Sequence, residues 1–581
     1  MNQTAFATPK YLSTKSDLTE FKAWLSEDHG VRALDTETTG LDTRAADFNV
    51  RQIAFGAADG SAFVVNGTDR DFARKVLRLA ILSGLRWWAH NATYDAAAIE
   101  SAYGLKLRGL QCSLVLTRTL QPSIIGTSNG SLKTLRPATQ FALDRLAIHW
   151  SETSGVPVTA EREHSWLPAC VAALPPADAV LLEYAATDAV ECARLVAGWS
   201  ERVGKEVRRI ALLETRIEDL WRWPASHGYR LDREMLQSEI SKLEAARATS
   251  LERWGVDLTT ASNATREWVR SRGILIVDGD GKETLSHKCY DTAYVPPEAA
   301  EDWNSFRQIR EVSQTANKLN GLARLVDDEN RIYPSIRGIG AHTGRMSIGK
   351  PALQNIQAPL RSLLLADEGC VLVGCDLDRV EPRVIAALSD DVALTEAVQQ
   401  DVYTELAVGV WGEAARSDDS RRKIAKTAFL AMAYGQGVTS LSRNLGITVA
   451  EANDVLSSLR SAYPTMTRWM NGVKKAARDG LPLQTAYGRP LPPTPDKPYR
   501  AVNWVIQGTA ADLFKRITVE VAETLGRDAL WLPVHDELIV QVKVGEEQAA
   551  LDALRDAMTT EIKGVPITGT PVVIGTSWGK A

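Results

Sequence analysis

The sequence predicts a multidomain protein of mixed α/β class, and three observations carry that prediction. Its 581 residues exceed what one domain ordinarily holds. Residues 31–66 alternate apolar runs with turn residues, in VRALDTETTGL and RQIAFGAADGSAFVV, which is the period-two signature of a strand meander. From about residue 336 to the end, short strand-like runs, Gly/Pro turns and long helical patterns are interleaved.

The remaining elements follow in order. Helical spacing takes over from about 68 to 120, and the Pro/Ser/Gly-rich QPSIIGTSNGSLKTLRP interrupts it near 121–137. Residues 178–222 read as long amphipathic helix, with a domain boundary near 205. Residues 206–335 are helical and charged, broken by a loop around VDGDGKET. No repeat or low-complexity tract interrupts the chain.

With 45% hydrophobic and 24% charged residues the composition is that of ordinary globular material. A net charge of -5 makes no case for a nucleic-acid partner, yet an acidic whole has room for one basic cleft. Six cysteines without a CxxC pair read as reduced buried thiols, not a disulfide or zinc framework. No apolar run approaches the roughly 20 residues of a membrane span. The start MNQTAFATPKYLSTKSDLTEF lacks a signal peptide's apolar core, so a cytoplasmic location is expected.

Chemistry concentrates in two constellations. In ALDTETTGL, Asp35 and Glu37 stand two apart at a strand end, so both carboxylates share one face. WWAHNATYDAAAIE places Asn91 and Asp95 one helical turn apart, and LLEYAATDAVECARL does the same for Tyr184 and Asp188. Each pair alone is unremarkable, since surface helices carry such pairs as solvated faces. The ordered set D-x-E, N-x-x-Y-D, Y-x-x-x-D resembles the three motifs of DEDD-type 3′–5′ exonucleases. Four such acids (Asp35, Glu37, Asp95 and Asp188) can hold two divalent ions about 3.5–4 Å apart. The resemblance implies that Tyr184 orients the attacking water and that Asn91 meets DNA.

The second constellation lies in the carboxy-terminal half. AHTGRMSIGKPALQN contains a formal GxxxxGK, Gly344 to Lys350, but Pro351 takes the metal-binding Ser/Thr position, so a nucleotide loop is rejected. VLVGCDLDRVEPR ends an apolar run in Asp376, with Glu381 five residues on and Arg383 two beyond that. In RRKIAKTAFLAMAYGQG, Arg422, Lys426, Leu430 and Tyr434 recur every fourth residue and share one helical stripe. WLPVHDELIVQV holds His535, Asp536 and a glutamate at the turn of an apolar hairpin. RAVNWVIQGTAADLFK, AYGRPL and the terminal GTSWGKA complete the set. Together these stretches resemble family A DNA polymerases, the DNA polymerase I type that includes many bacteriophage enzymes.

That resemblance implies an RNase H-like exonuclease domain over 1–205 and a right-hand polymerase domain over 206–581. Within the latter, the thumb is expected at about 206–335, the palm at 336–400 and 485–581, and the fingers at 401–484. The length leaves no room for the 5′-nuclease domain of some relatives. Asp376, the Leu377 carbonyl and Asp536 would hold two Mg²⁺, as would the exonuclease acids in their own site, with Mn²⁺ as a substitute. Lys426 is the candidate general acid. Arg422, Lys426, Tyr434, Leu430 and Tyr403 would meet the dNTP, and Glu381 beside Tyr434 would exclude a 2′-hydroxyl. Arg345, Arg383, Arg489, Asn503, Gln507 and His535 would contact DNA. Expected partners are primer–template DNA, dNTPs and accessory replication proteins such as a helicase or single-strand binding protein, with no membrane and a monomeric chain. The expected activity is template-directed, two-metal DNA synthesis with 3′–5′ proofreading in replication, in a host bacterial cytoplasm if phage-encoded. The family usually carries an aromatic ring where Leu430 stands, and Phe429 one residue earlier is turned by roughly 100°. Asp378 is expected to face solvent or pair with Arg379. A single-subunit RNA polymerase is the rival enzyme, and a DNA-binding scaffold with only nuclease activity is the rival of another class.

Overall fold

The computed structural model describes residues 9–579 apart from 126, 128–129, 156–157, 159–162 and 279–280. Parts of QPSIIGTSNGS and VDGDGKET, and the last two residues of GTSWGKA, lie outside the described residues.

The amino-terminal half is built on a six-stranded sheet of β1 (Lys10–Leu12), β2 (Arg32–Thr38), β3 (Val50–Ala57), β4 (Ala62–Asn66), β5 (Trp87–Ala89) and β6 (Gln111–Cys112). Their spatial order is β1-β4-β3-β2-β5-β6. β2, β3 and β4 form the expected antiparallel meander, while β1, β5 and β6 join in parallel. The helical run expected over 68–120 is three helices, Arg70–Leu82, α1 (Ala92–Tyr103) and Ser113–Leu120, with β5 and β6 threaded between them. Strands of two or three residues present too little periodicity to be read in sequence.

The single helix expected over 178–222 is two, α2 (Ala179–Arg202) and α3 (Lys205–His227). Val203 and Gly204 both leave helical geometry for extended backbone, with ψ of 123° and 159°. Glycine and a β-branched residue are weak helix formers, so the break costs little there. α2 packs on β2 and β3, and Gly56 permits that approach. A Cβ at Gly56 would sit 2.6 Å from the Val190 backbone nitrogen. α3 instead packs against Ser113–Leu120 on one side and a carboxy-terminal helix on the other, joining the two halves.

The helices Arg233–Trp254 and Ala300–Ala323 lie against each other. A separate core of Trp268, Tyr290, Trp303 and Phe306 packs at one end of that pair. The carboxy-terminal sheet contains β7 (Cys370–Asp376), β8 (Leu530–Val534), β9 (Glu537–Lys543) and β10 (Val572–Gly575), antiparallel in the order β8-β9-β7-β10. Val371 to Cys375 are all buried, which explains the unbroken apolar run ahead of Asp376. The helices of this half include α4 (Val380–Ser389), which packs on α7 (Tyr499–Leu525), and α5 (Val402–Trp411), which packs on α6 (Asp419–Ala433). Asp418 caps α6 by accepting from the Ser420 and Arg421 amides. The rejected phosphate-loop match, residues 344–350, enters a strand, Ser347–Gly349, paired with Ser335–Arg337. A phosphate loop would open a helix there.

Candidate active sites

Two clusters of acids emerge, one on each sheet. In the amino-terminal half, Asp35 and Glu37 project from β2 and Asp188 from α2. Their nearest ligand oxygens all lie within 4.8 Å of one another. Asp95, on α1, stands beside this trio. Its Oδ1 accepts from the Thr36 amide at 3.1 Å and from Thr36 Oγ1 at 2.8 Å, so it is anchored to β2 between the two β2 acids. Burial pushes Asp35 up to about 8, and Asp95 adds to the rise. Glu37 is raised by burial and then by Asp35 and Asp188. Burial lifts Asp95 to about 7 against its Thr36 hydrogen bonds. Buried acids this crowded take up protons unless a cation compensates them, and an all-oxygen donor set suits a hard divalent ion. Tyr184 lies one turn before Asp188, 3% exposed, with its ring in a core that includes Leu143, Trp166 and Leu181. Asn91 caps α1 in a left-handed conformation, φ 69°, and is exposed.

In the carboxy-terminal half, Asp376 is the last residue of β7, and Asp536 sits in the turn joining β8 to β9. The register aligns Asp376 with Glu537, and the Leu377 amide donates to the Asp536 carbonyl at 3.2 Å. His535, left-handed at φ 61° and exposed, opens that turn. Asp376 is exposed at the end of β7, and partial desolvation first, then Asp536, Glu537 and Asp378, push it up to about 7; burial raises Asp536. Glu381, in the first turn of α4, accepts from Arg345 Nη2 at 3.0 Å through Oε1 and from the Tyr434 hydroxyl at 2.5 Å through Oε2. Asn503 and Gln507 are half-buried one turn apart on α7, and the Gln507 side chain bonds to Tyr434. Arg422 Cζ and Lys426 Nζ lie 5.8 and 5.2 Å from the centroid of the buried Tyr403 ring.

Comparison with known proteins agrees with this geometry. Residues 9–198 match the family model for 3′-5′ exonuclease and residues 291–580 that for DNA polymerase family A. The chain belongs to DNA polymerase family A. It is 25% identical to the DNA polymerase of Mycobacterium phage D29, over 97% of this chain and 95% of that one. It is 26% identical to that of Mycobacterium phage L5, over 98% and 97%. Among solved structures, the POL domain of Pol1 from M. smegmatis in complex with DNA primer-template and dNTP shares the fold. Its TM-score is 0.73 at 20% identity, covering 98% of this chain and 100% of that one. The protein is thus a DNA polymerase with a 3′–5′ exonuclease domain.

Several expectations for this polymerase need correction. Arg383 is 7% exposed; its guanidinium donates to the carbonyls of Asp378 at 3.0 Å and Pro566 at 2.6 Å. Arg489 is 2% exposed and bound to Asp512 and Glu214. Both expected DNA contacts are therefore internal struts, because each guanidinium is itself buried, Arg383 on backbone carbonyls and Arg489 on buried carboxylates. Asp378 neither faces solvent alone nor pairs with Arg379. Its carboxylate accepts from Thr568 Oγ1 at 3.2 Å, and Arg379 instead meets Asp401. Arg422 has an acid beside it, since Asp401 accepts from its Nε at 2.6 Å and its Nη2 at 3.1 Å. Phe429 is fully buried in the core, and Leu430 packs half-buried against it.

Two residues were given no role from the sequence. Lys133 opposes the upward shift of both Asp35 and Glu37, and it lies in the stretch read only as a loop. Glu537 faces Asp376 across the strand pair. Its signal was visible as the last acid of VHDE.

Proposed function

We propose that this polymerase performs template-directed extension of primer 3′ ends with dNTPs and proofreads in its exonuclease site, in phage DNA replication. Residues 1–205 would form the exonuclease domain and 206–581 the polymerase domain, with thumb, palm and fingers near the bounds given above; the break at Val203 and Gly204 supports that division. The observation that carries the reading is the pairing of Asp376 with the Asp536 turn, beside the Arg345–Glu381–Tyr434 chain.

Asp376, Asp536 and the Leu377 carbonyl offer oxygen donors, and the raised acids fit a divalent pair. Bound there, two Mg²⁺ would supply Lewis acidity for the primer 3′-hydroxyl and charge stabilisation for the departing pyrophosphate. Asp35, Glu37, Asp95 and Asp188 would hold the corresponding ions of the exonuclease, with Tyr184 orienting water. Lys426 would donate a proton to the leaving group, Arg422 would bind the triphosphate, and Tyr403 would support both cations from below. Leu430 and Tyr434 would meet the base and sugar. Glu381, fixed by two hydrogen bonds, would leave no space for a 2′-hydroxyl. Asn503, Gln507, His535 and Arg345 would contact the primer–template, and Asn91 the strand entering the exonuclease.

Primer extension with dNTPs and with rNTPs, alongside digestion of single-stranded DNA, tests the assignment. Asp376→Ala should abolish extension and leave digestion intact, and Asp35→Ala should do the reverse. Extension surviving Asp376→Ala, or a preference for rNTPs, would overturn it.

A further inference from the structure

Arg379 falls outside every role assigned above, yet it lies three residues past Asp376 and two before Glu381. It is the N-cap of α4 and has a left-handed backbone, φ 49°, which non-glycine residues seldom adopt. Its Nη2 lies 3.3 Å from Asp401 Oδ1, and its Nη1 donates to the Gln400 carbonyl at 3.3 Å. Arg422 reaches the same Asp401 carboxylate from α6, at 2.6 and 3.1 Å. Among the described residues neither guanidinium has another ion-pair partner. Lys426, one turn further along α6, stands over Tyr403 and has no ion pair among the described residues.

Two guanidiniums from separate segments therefore meet at one carboxylate, with Lys426 one turn beyond Arg422 on α6. Arg379, Arg422 and Asp401 are all about one-third exposed, so a ligand can reach them. Exposed ion pairs of this kind contribute little stability on their own. A polyphosphate brings more charge and more acceptors than one carboxylate, and guanidinium forks match its oxygens two at a time.

We propose that Arg379 is a third cationic ligand of the dNTP triphosphate, beside Arg422 and Lys426, and that Asp401 is the counter-ion both guanidiniums exchange for it. This rests on the dNTP site of the proposed function. It adds to it a residue from the palm side of the cleft, so that the triphosphate is gripped from α4 as well as α6. The same grip would hold the pyrophosphate product. The bland alternative is a surface tie between the starts of α4 and α5.

Single-nucleotide extension with Mg²⁺, and its inhibition by inorganic pyrophosphate, separate these. Arg379→Gln removes the charge and keeps a polar side chain. It should raise KM for dNTP about tenfold, the loss of one charge-assisted hydrogen bond, and change kcat far less. It should raise the half-inhibitory pyrophosphate concentration in parallel, leave the melting temperature and single-strand digestion unmoved, and be partly rescued by Arg379→Lys. An unmoved KM and pyrophosphate inhibition, where Arg422→Ala raises both, would make Arg379 a surface tie and leave the dNTP site standing. If Arg422→Ala is also silent, the dNTP site is misplaced and the proposal for Arg379 falls with it.

Discussion

The Tyr434 hydroxyl donates to Glu381 Oε2 over 2.5 Å, fastening the end of α6 to the start of α4. Arg345 holds the other Glu381 oxygen, so the carboxylate is fixed from both sides. A side chain pinned this way is a rigid wall, and a rigid wall can select a sugar by shape. Glu381→Ala should therefore raise incorporation of rNTPs relative to dNTPs by at least about tenfold, roughly 1.4 kcal/mol of lost discrimination. Tyr434→Phe, which frees one oxygen only, should do so more weakly. Competition assays with matched dNTP and rNTP check this; an unchanged ratio in Glu381→Ala would refute the gate.

A second prediction concerns metal removal and pH. The folded chain holds Asp35 at about 8 and Asp95 at about 7, above their ordinary values near 4, so the native state binds protons that the unfolded state has released. Stability of the chelator-treated protein should therefore fall as pH rises from about 4 to about 8. A divalent ion requires ionised carboxylates, so its stabilising effect should grow across the same window. Melting temperatures at pH 5 and pH 8, with EDTA or with excess Mg²⁺, measure this. Asp35→Asn should flatten the dependence, and equal metal-induced shifts at both pH values would count against it.

The buried charges around Arg489 give a third. Arg489 and Lys515 share Glu214 Oε1, Arg489 also bonds Asp512, and Lys515 Nζ donates to the Gly344 carbonyl at 2.5 Å. All four side chains are 3% exposed or less. Removing one partner leaves an uncompensated buried charge, at a cost of about 3–5 kcal/mol. Arg489→Met should accordingly lower the melting temperature and reduce extension, while a DNA-contact role would weaken DNA binding and leave melting unchanged. Thermal melting beside a DNA-binding assay distinguishes the two.

Gly344 supplies a fourth. Its φ is +78°, and a Cβ there would fall 2.6 Å from Arg489 Nε inside the same cluster. Gly344→Ala should strain the turn that presents Arg345 and lower extension more than digestion of single-stranded DNA. Equal losses in both activities would point to global unfolding instead.

The legible part of this protein was local chemistry. Asp35 and Glu37 read as a shared strand face because side chains alternate, and Arg422, Lys426, Leu430 and Tyr434 as a stripe because a helix repeats every 3.6 residues. The meander and the acid-terminated apolar strand were equally visible, since burial on both faces writes an unbroken apolar run. Short strands and the break at Gly204 were not, because two or three residues carry no period.

By itself the sequence determined the residue types, their order and the periodicities that place them on faces, which sufficed for family and chemistry. Only the tertiary structure decided which charges are used internally. Arg383 and Arg489 look in sequence like Arg345 and Arg422. Whether an arginine faces a cleft or is tied inside the fold depends on segments as distant as the Glu214 carboxylate and the Pro566 carbonyl, which meet it only when the chain packs. The same holds for Asp401: nothing in its local sequence shows that two guanidiniums from separate segments converge on it, because an ion pair is a relation across space.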